Sequence, residues 1–292
     1  LALTTIKVYI ESAFNNRKKE FDYMSDLLFQ VDNHIAYITL NRPDRLNAFS
    51  EEMIDLWIEA LEKIRDSEDI RAVLVSGNGK AFCTGGDVKE MMAGNGFYKS
   101  DRDITSTALA RKNSLWRKIQ RVPLLLQEIE QPVIAKIHGA AFGAGLDMAL
   151  MCDIRIAEAG TKLSESYVNV GIVPGDGGAY FLPRLIGKDK ALDMLWTGKI
   201  IDAEEAKEIG LVTFVEPKET IDKFTEDYLQ KLVEGPQQVI RLIKRAVYQN
   251  ENMDLRSSLD LISSHMGIVT ELNDYKEGVQ ALLEKRKPKF NQ

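Results

Sequence analysis

The sequence predicts an α/β core followed by an all-helical C-terminal appendage. Three observations carry this expectation. Strand-like and helix-like segments alternate from about residue 26 to 217; two glycine turns, "FCTGGDVKE" at 82–90 and "FGAGLDMAL" at 142–150, each join a buried strand to a helix; and from Lys218 to Arg286 the pattern is helical throughout.

The elements follow in order. "DLLFQVDNHIAYITL" (26–40) reads as a hairpin around an Asp-Asn turn, with His34 in the turn region. After the polar loop "NRPDRLNAFS", Ser50 is placed to N-cap a helix whose Met53, Ile54, Trp57, Ile58, Leu61 and Ile64 fall at helical spacing. "IRAVLVSG" is a short buried strand ending at Gly77. Residues 101–131 read as helix broken near Pro123, which removes a donor and crowds the preceding turn. "PVIAKIHG" and "DIRIAE" are further buried strands, on either side of the second glycine turn. "DAEEAKEIG" is a short helix, capped by Asp202 and ended by Gly210, and "LVTFVEP" is the last strand.

Composition limits the function classes. The chain has 292 residues, 45% hydrophobic and 28% charged, with a net charge of −6, which disfavours a nucleic-acid surface. No apolar run approaches the roughly 20 residues that span a bilayer. Two cysteines, Cys83 and Cys152, give no disulfide framework and point to a cytoplasmic location. With only three histidines, no metal-ligand spacing emerges and no metal is expected. Residues 1–23 contain no secretory cleavage pattern. Lys19-Glu20 can be encoded AAGGAG, a ribosome-binding sequence shortly before Met24, so this stretch is read either as over-long frame or as an arm packing on a neighbour. The expected organisation is therefore extension 1–23, core 24–217 and helical subdomain 218–292.

The glycine turns suggest chemistry as well as packing. The N–H groups of a helix start point outward at the positive end of the helix dipole, and small residues let a ligand approach them. Two such turns brought together would offer the Gly86 and Ala144 N–H groups to a developing oxyanion, worth about 3 kcal/mol per donor. The glycines would equally serve tight strand–helix packing alone. "GAGLDM" lacks the third glycine of a dinucleotide fingerprint.

"NRPDRLNAFS", "GNGKAFCTGGDVKEM", "PVIAKIHGAAFGAGLDMALMCDIRIA", "GIVPGDGGAYFLPRLIG", "DAEEAKEIGLV" and "LLEKRKPKF" together resemble the crotonase (enoyl-CoA hydratase/isomerase) superfamily, from about Met24 to Phe290. The resemblance implies an α/β spiral of ββα units with a C-terminal helical trimerisation subdomain, as a homotrimer or dimer of trimers. It implies an acyl-CoA substrate, with coenzyme A entering as part of that substrate and no further cofactor, and an oxyanion hole from Gly86 and Ala144. Arg45, Leu46 and Ala81 match segments that fold around the nucleotide and pantetheine arm. Lys285 and Lys289 match basic residues that reach CoA phosphates, in a neighbouring subunit or the same one, unless "EKRKPK" is merely a solvated tail.

The family's hydratases use two glutamates; here Asp147 and Tyr167 stand at those positions. Aspartate is shorter by a methylene, and a phenol with an ordinary pKa near 10 is a better donor than base at neutral pH. Asp147 is thus the expected acid/base and Tyr167 its companion, a pair that fits a double-bond shift better than hydration. Glu165 would share the Tyr167 side on an extended segment but not on a turn. Asp176 neighbours a position where dienoyl-CoA isomerase relatives carry an acid, although capping a turn or helix is its simpler role. His138 and His265 read as structural, and Met91, Met92 and the 104–126 segment as acyl-pocket lining or core cover. Rival readings are hydrolysis, ring cleavage or decarboxylation through the same enolate, and a CoA-binding relative without turnover.

Overall fold

A computed structural model describes residues 25–94 and 107–292; the expectation for 1–23, and part of that for 104–126, lie outside these residues. Strands β1 (Leu27–Asp32) and β2 (Ile35–Leu40) form the N-terminal hairpin in the register Leu27↔Leu40 to Asp32↔Ile35. The turn pair is Asn33–His34, one residue later than the expected Asp-Asn pair. Both residues have positive φ, +47° and +66°, which is the geometry that lets a two-residue turn follow the strand twist. Beyond the hairpin the sheet is parallel, in the order β1-β2-β3-β4-β6-β9, with β3 (Ala72–Gly77), β4 (Val133–Ile137), β6 (Ile154–Glu158) and β9 (Phe214–Glu216).

Alternation along β2 divides the sheet into two faces. Ala36, Ile38 and Leu40 join a large core with Met53, Trp57 and Leu61 of helix α1 (Glu51–Arg65), which Ser50 caps as expected by accepting from the Met53 N–H at 3.1 Å. Ile35, Leu74, Ile134 and Ile156 face the other way, against Ile221, Leu229 and Val233 of a later helix, Ile221–Val233. That helix therefore belongs to the packing of the sheet, although it lies beyond residue 217.

A second, three-stranded sheet carries β5 (Ala140–Phe142), β7 (Lys162–Ser164) and β8 (Ile201–Asp202), none of which the sequence marks out because each is two or three residues long. Between β3 and β4 lie α2 (Val88–Ala93), α3 (Thr107–Ser114), a π-helical segment (Leu115–Ile119) and α4 (Arg121–Glu128). The helix break falls upstream of Pro123, which sits inside α4. The proline ring crowds the carbonyl four residues earlier, and the chain widens there, with Gln120 N–H donating five residues back to Leu115 O at 2.9 Å. Helix α5 (Ala144–Leu150) opens the second glycine turn; α6 (Gly178–Ile186), α7 (Lys188–Thr197) and α8 (Ala203–Glu208) follow. The described chain ends in α9 (Ile221–Val233), α10 (Gln237–Asn250), α11 (Leu255–Thr270) and α12 (Asn273–Glu284).

One buried polar side chain ties the loops above β3 together. Asn47 has no solvent exposure and a left-handed φ of +56°, which asparagine tolerates better than most residues. Its Nδ2 donates to Ala81 O at 2.8 Å and Asn78 O at 2.9 Å, while its Oδ1 accepts from Arg42 N–H at 2.8 Å. Replacing it strands buried backbone groups on two loops at once. Asn47→Ala is expected to lower unfolding stability by about 3 kcal/mol, read as a lower urea midpoint with an unchanged slope.

Candidate active site

The two glycine turns meet backbone to backbone. Phe142 N–H donates to Cys83 O at 3.0 Å, Cys83 N–H to Ala140 O at 3.2 Å, and Phe49 N–H to Gly85 O at 2.8 Å. A Cβ at Gly145 would stand 2.3 Å from Cys83 O, and one at Gly85 would stand 2.8 Å from Phe142 O. Gly143 turns the chain into α5 with φ +50°, a conformation that L side chains resist. Glycine is thus needed at Gly85 and Gly145 for packing and at Gly143 for the backbone turn, and this arrangement brings Gly86 and Ala144 to the wall of one cavity of about 480 Å³. No acceptor among the described residues takes up the Gly86 or Ala144 N–H. Cys83 is enclosed here; burial pushes its thiol up to about 12, so it is an inert packing group.

The cavity is apolar along Phe49, Leu115, Ile119 and Val170, and Tyr167 and Asp176 also line it. Asp147 does not reach it. Asp147 rides on the first turn of α5 with no exposure and lies behind Tyr167, whose hydroxyl is 2.6 Å from Asp147 Oδ2 and 2.8 Å from Asp176 Oδ2. Gly178, the first residue of α6, leaves room for this acid: a Cβ there would fall 2.3 Å from Asp147 Oδ1. Asp176 is only 6% exposed, and no side chain caps the start of α6. Of its simpler expected roles, capping a turn or a helix, the helix cap is absent, and the hydrogen bond its carboxyl makes is to Tyr167. Glu165 follows β7 directly and precedes a 3-10 turn, Ser166–Val170. It is fully buried in the cluster with Asp147 and Tyr167 and does not line the cavity, and neither of its oxygens finds a hydrogen-bond partner.

Electrostatics follow from this crowding. Burial raises Asp147 well above the ordinary carboxylate range and the Asp176 charge raises it further, against the hydrogen bond from Tyr167. Burial lifts Asp176 to about 6, opposed by the Tyr167 hydroxyl. Glu165 and Tyr167 are both raised well above their usual values by burial and then by the Asp147 charge.

The binding candidates lie in different places. Arg45 and Leu46 are exposed beside the cavity mouth, where Leu46 O accepts from the N–H of the lining residue Thr84 at 3.1 Å. Ala81 is buried and serves the fold through its carbonyl, the Asn47 acceptor. Lys285 and Lys289 are exposed beyond α12 and do not line the cavity of their own chain; the Lys289 N–H is held by Glu277 at 2.7 Å. Met91 lines the cavity, while Met92 points to solvent. His138 bonds Gly79 O at 3.1 Å and His265 sits on α11. The sequence reading missed Asn47, whose only signal is an asparagine in a turn-rich loop, and ranked Asp176 below Asp147 because a "PGDGG" loop does not fix a side-chain direction.

A carboxyl raised in the folded chain binds a proton that the unfolded chain releases. Its stabilising contribution is full below the ordinary carboxylate range, near 4, and is lost as pH rises through the folded value, about 6 for Asp176. Asp176→Asn removes that loss. The variant is expected to be more stable than the parent by about 1–3 kcal/mol at pH 8 and to show no gain at pH 4, as measured by urea unfolding at the two values.

Comparison with known proteins agrees with this architecture. The sequence profile described as "Enoyl-CoA hydratase/isomerase" matches residues 30–292. YngF of Bacillus subtilis (strain 168), which carries an enoyl-CoA hydratase/isomerase name, is 39% identical over 264 residues, covering 89% of this chain and 96% of the relative. The 1,2-epoxyphenylacetyl-CoA isomerase of Escherichia coli (strain K12) is 33% identical over 271 residues, covering 91% and 98%. Among solved structures, an enoyl-CoA hydratase of Mycobacterium smegmatis superposes with a TM-score of 0.81 at 32% identity, covering 91% of this chain and 99% of that one. With the parallel sheet, the helical C-terminal region and the paired glycine turns, these matches establish that the chain belongs to the enoyl-CoA hydratase/isomerase family and has the crotonase fold.

Proposed function

We propose that the chain shifts a double bond in an acyl-CoA through a thioester dienolate, with Asp176 carrying the proton. The observation that carries this reading is the placement of Asp176 and Tyr167 on the same cavity as Gly86 and Ala144. Removal of a proton next to the thioester leaves negative charge on the thioester oxygen, where the two free N–H groups would hold it. Return of the proton at the far end of the conjugated system completes the shift. One carboxylate suffices for both transfers. Hydration asks for more, a water-activating group and a separate proton donor, and Asp147 is sealed away from the cavity. Of the other carboxylates on its wall, Asp87 caps α2 and faces Arg42 at 3.4 Å, Glu51 pairs with Lys118 at 3.2 Å, and Glu90 lies on α2, so a second acid in hydration would have to come from Glu90. Arg45 and Leu46, exposed next to the lining residue Thr84, would meet the incoming nucleotide. Lys285 and Lys289 would reach its phosphates from a neighbouring subunit.

The reading extends to assembly and location. Helix α11 buries none of its residues, although Leu255, Leu259, Ile262 and Met266 are apolar; Leu255 is 74% exposed and Leu282 on α12 is 79% exposed. Such a face calls for a cover, and a homotrimer or dimer of trimers supplies one from the same helices. Among the described residues no helix is long and apolar enough to cross a membrane, and Cys83 and Cys152 are free thiols, in keeping with a cytoplasmic enzyme.

Turnover of a panel of acyl-CoAs in heavy-oxygen water and deuterium oxide tests the chemistry. The expected product is a shifted double bond carrying deuterium without oxygen gain, with kcat lowered at least about 100-fold in Asp176→Asn. Oxygen gain in an intact acyl-CoA would establish hydration instead, free CoA would establish hydrolysis, and binding without any turnover would leave a non-catalytic relative. Sedimentation velocity is expected to give three or six chains per particle, with Leu259→Glu shifting the population towards smaller species; a monomeric parent would remove the assembly reading.

A further inference from the structure

The hydroxyl of Tyr167 lies within hydrogen-bond distance of two carboxyls, 2.6 Å from Asp147 Oδ2 and 2.8 Å from Asp176 Oδ2. A phenol has one hydrogen to give, and an ionised carboxylate can only accept. Two such contacts therefore require a second hydrogen on one of the carboxyls. No cation among the described residues removes this requirement. The side chains that act on Asp147, Tyr167 and Asp176 are one another and Glu165, with the Gly178 backbone N–H as a further neutral donor to Asp147; Arg42 is engaged by Asp26 and Asp87. Two like charges sharing one phenol oxygen without a counter-ion would not both stay ionised. Glu165, enclosed with both oxygens unpartnered, is tolerable only as the neutral acid.

We propose that Tyr167 is a proton relay between Asp176 at the cavity and Asp147 behind it, that the pair of aspartates holds one shared proton at rest, and that Asp147 is thereby a positioning residue for Asp176. The placement of the charge follows from access. Asp147 has no exposure, whereas Asp176 lines the cavity, so the ionised member at rest is Asp176. In that state the Asp147 O–H donates to the Tyr167 oxygen and the Tyr167 O–H donates to Asp176. Asp176 then takes a proton from a substrate carbon on its free oxygen, and the C–H electron pair passes into the dienolate. A second arrangement needs no substrate proton: the Asp147 hydrogen moves to the phenol and the phenol hydrogen moves to Asp176. This leaves Asp147 charged and Asp176 an acid, with the cluster's charge unchanged. One cavity carboxyl thereby serves as base or acid according to which side of Tyr167 holds the shared proton.

This inference rests on the proposed proton-carrying role of Asp176, but its first test does not use turnover. Infrared spectra of the substrate-free full chain, with carbon-13 in its aspartates, separate aspartyl from glutamyl carboxyls. Aspartates of ordinary pKa are ionised at pH 7, so a protonated aspartyl band there belongs to this cluster. The expected result is about one such band per chain, lost in Asp147→Asn and displaced in Tyr167→Phe. Its absence from the parent protein at pH 7 would overturn the proposal, whether or not either variant folds. The second test is the pH profile of deuterium exchange into an acyl-CoA substrate. Without the acid O–H of Asp147 behind Tyr167, ionised Asp176 in Asp147→Asn loses the shared hydrogen that stabilises it, and the acid limb is expected to move up by about one pH unit. A downward move would mean that Asp147 carries a charge at rest and would overturn the proposal. A lowered kcat with an unmoved limb would make Asp147 merely structural and would also overturn the proposal. A parent protein that shows the band yet exchanges no deuterium in any acyl-CoA would instead defeat the double-bond-shift reading and leave the shared proton standing.

Discussion

The carbonyl of Cys83 lies where a side chain on residue 145 would have to stand, and the site depends on that one approach. Two strand-to-helix turns can be pressed together only if neither carries a Cβ at the contact, and glycine at Gly85 and Gly145 meets the condition from both sides. The approach sets the position of Gly86 against Ala144, and it fixes the first turn of α5, hence where Asp147 points. Asn47 holds the first turn from behind through the Ala81 and Phe82 carbonyls, so the same loops that position Gly86 are pinned to Arg42. Packing and chemistry are one constraint here. The glycines satisfy a steric need, and the donors they leave facing the cavity are the consequence.

Much of this was legible in the sequence. Period-two strands, the Ser50 cap and the two glycine turns each announce themselves within a few residues, because their causes are local. The short strands of the second sheet do not, since three residues carry no periodicity and their pairing is settled by partners far along the chain. The upstream displacement of the helix break from Pro123 is similar: the proline sets the clash, but where the helix gives way depends on what α3 and α4 pack against.

The acids show the sharper limit. Asp147 is conspicuous in sequence because a charge in an apolar helix start is rare, and the same fact places it deep in the core, out of the cavity's reach. Asp176 is inconspicuous because loops rich in glycine and proline often hold aspartate for their own turns. Which of the two meets the cavity depends on Tyr167 standing between them, and nothing local encodes a contact made by residues 20 and 9 positions apart.

Three enclosed carboxyls with no cation among them oppose folding above their raised pKa values, so stability alone gives no reason to keep them. A stabilising arrangement is easy to imagine: amides or apolar groups at Asp147, Glu165 and Asp176 would remove the desolvation cost. Under the proposed function, what the acids would supply in return is a group that can exchange a proton near neutral pH. An exposed aspartate, ionised several units below neutrality, would be too weak a base to draw a proton from carbon. Burial strengthens it, and the phenol of Tyr167 limits the effect by stabilising the ionised form. A base of intermediate strength beside free backbone donors would have a chemical use at a folding cost, and of the three acids Asp176 is the one that shares a cavity wall with Gly86 and Ala144.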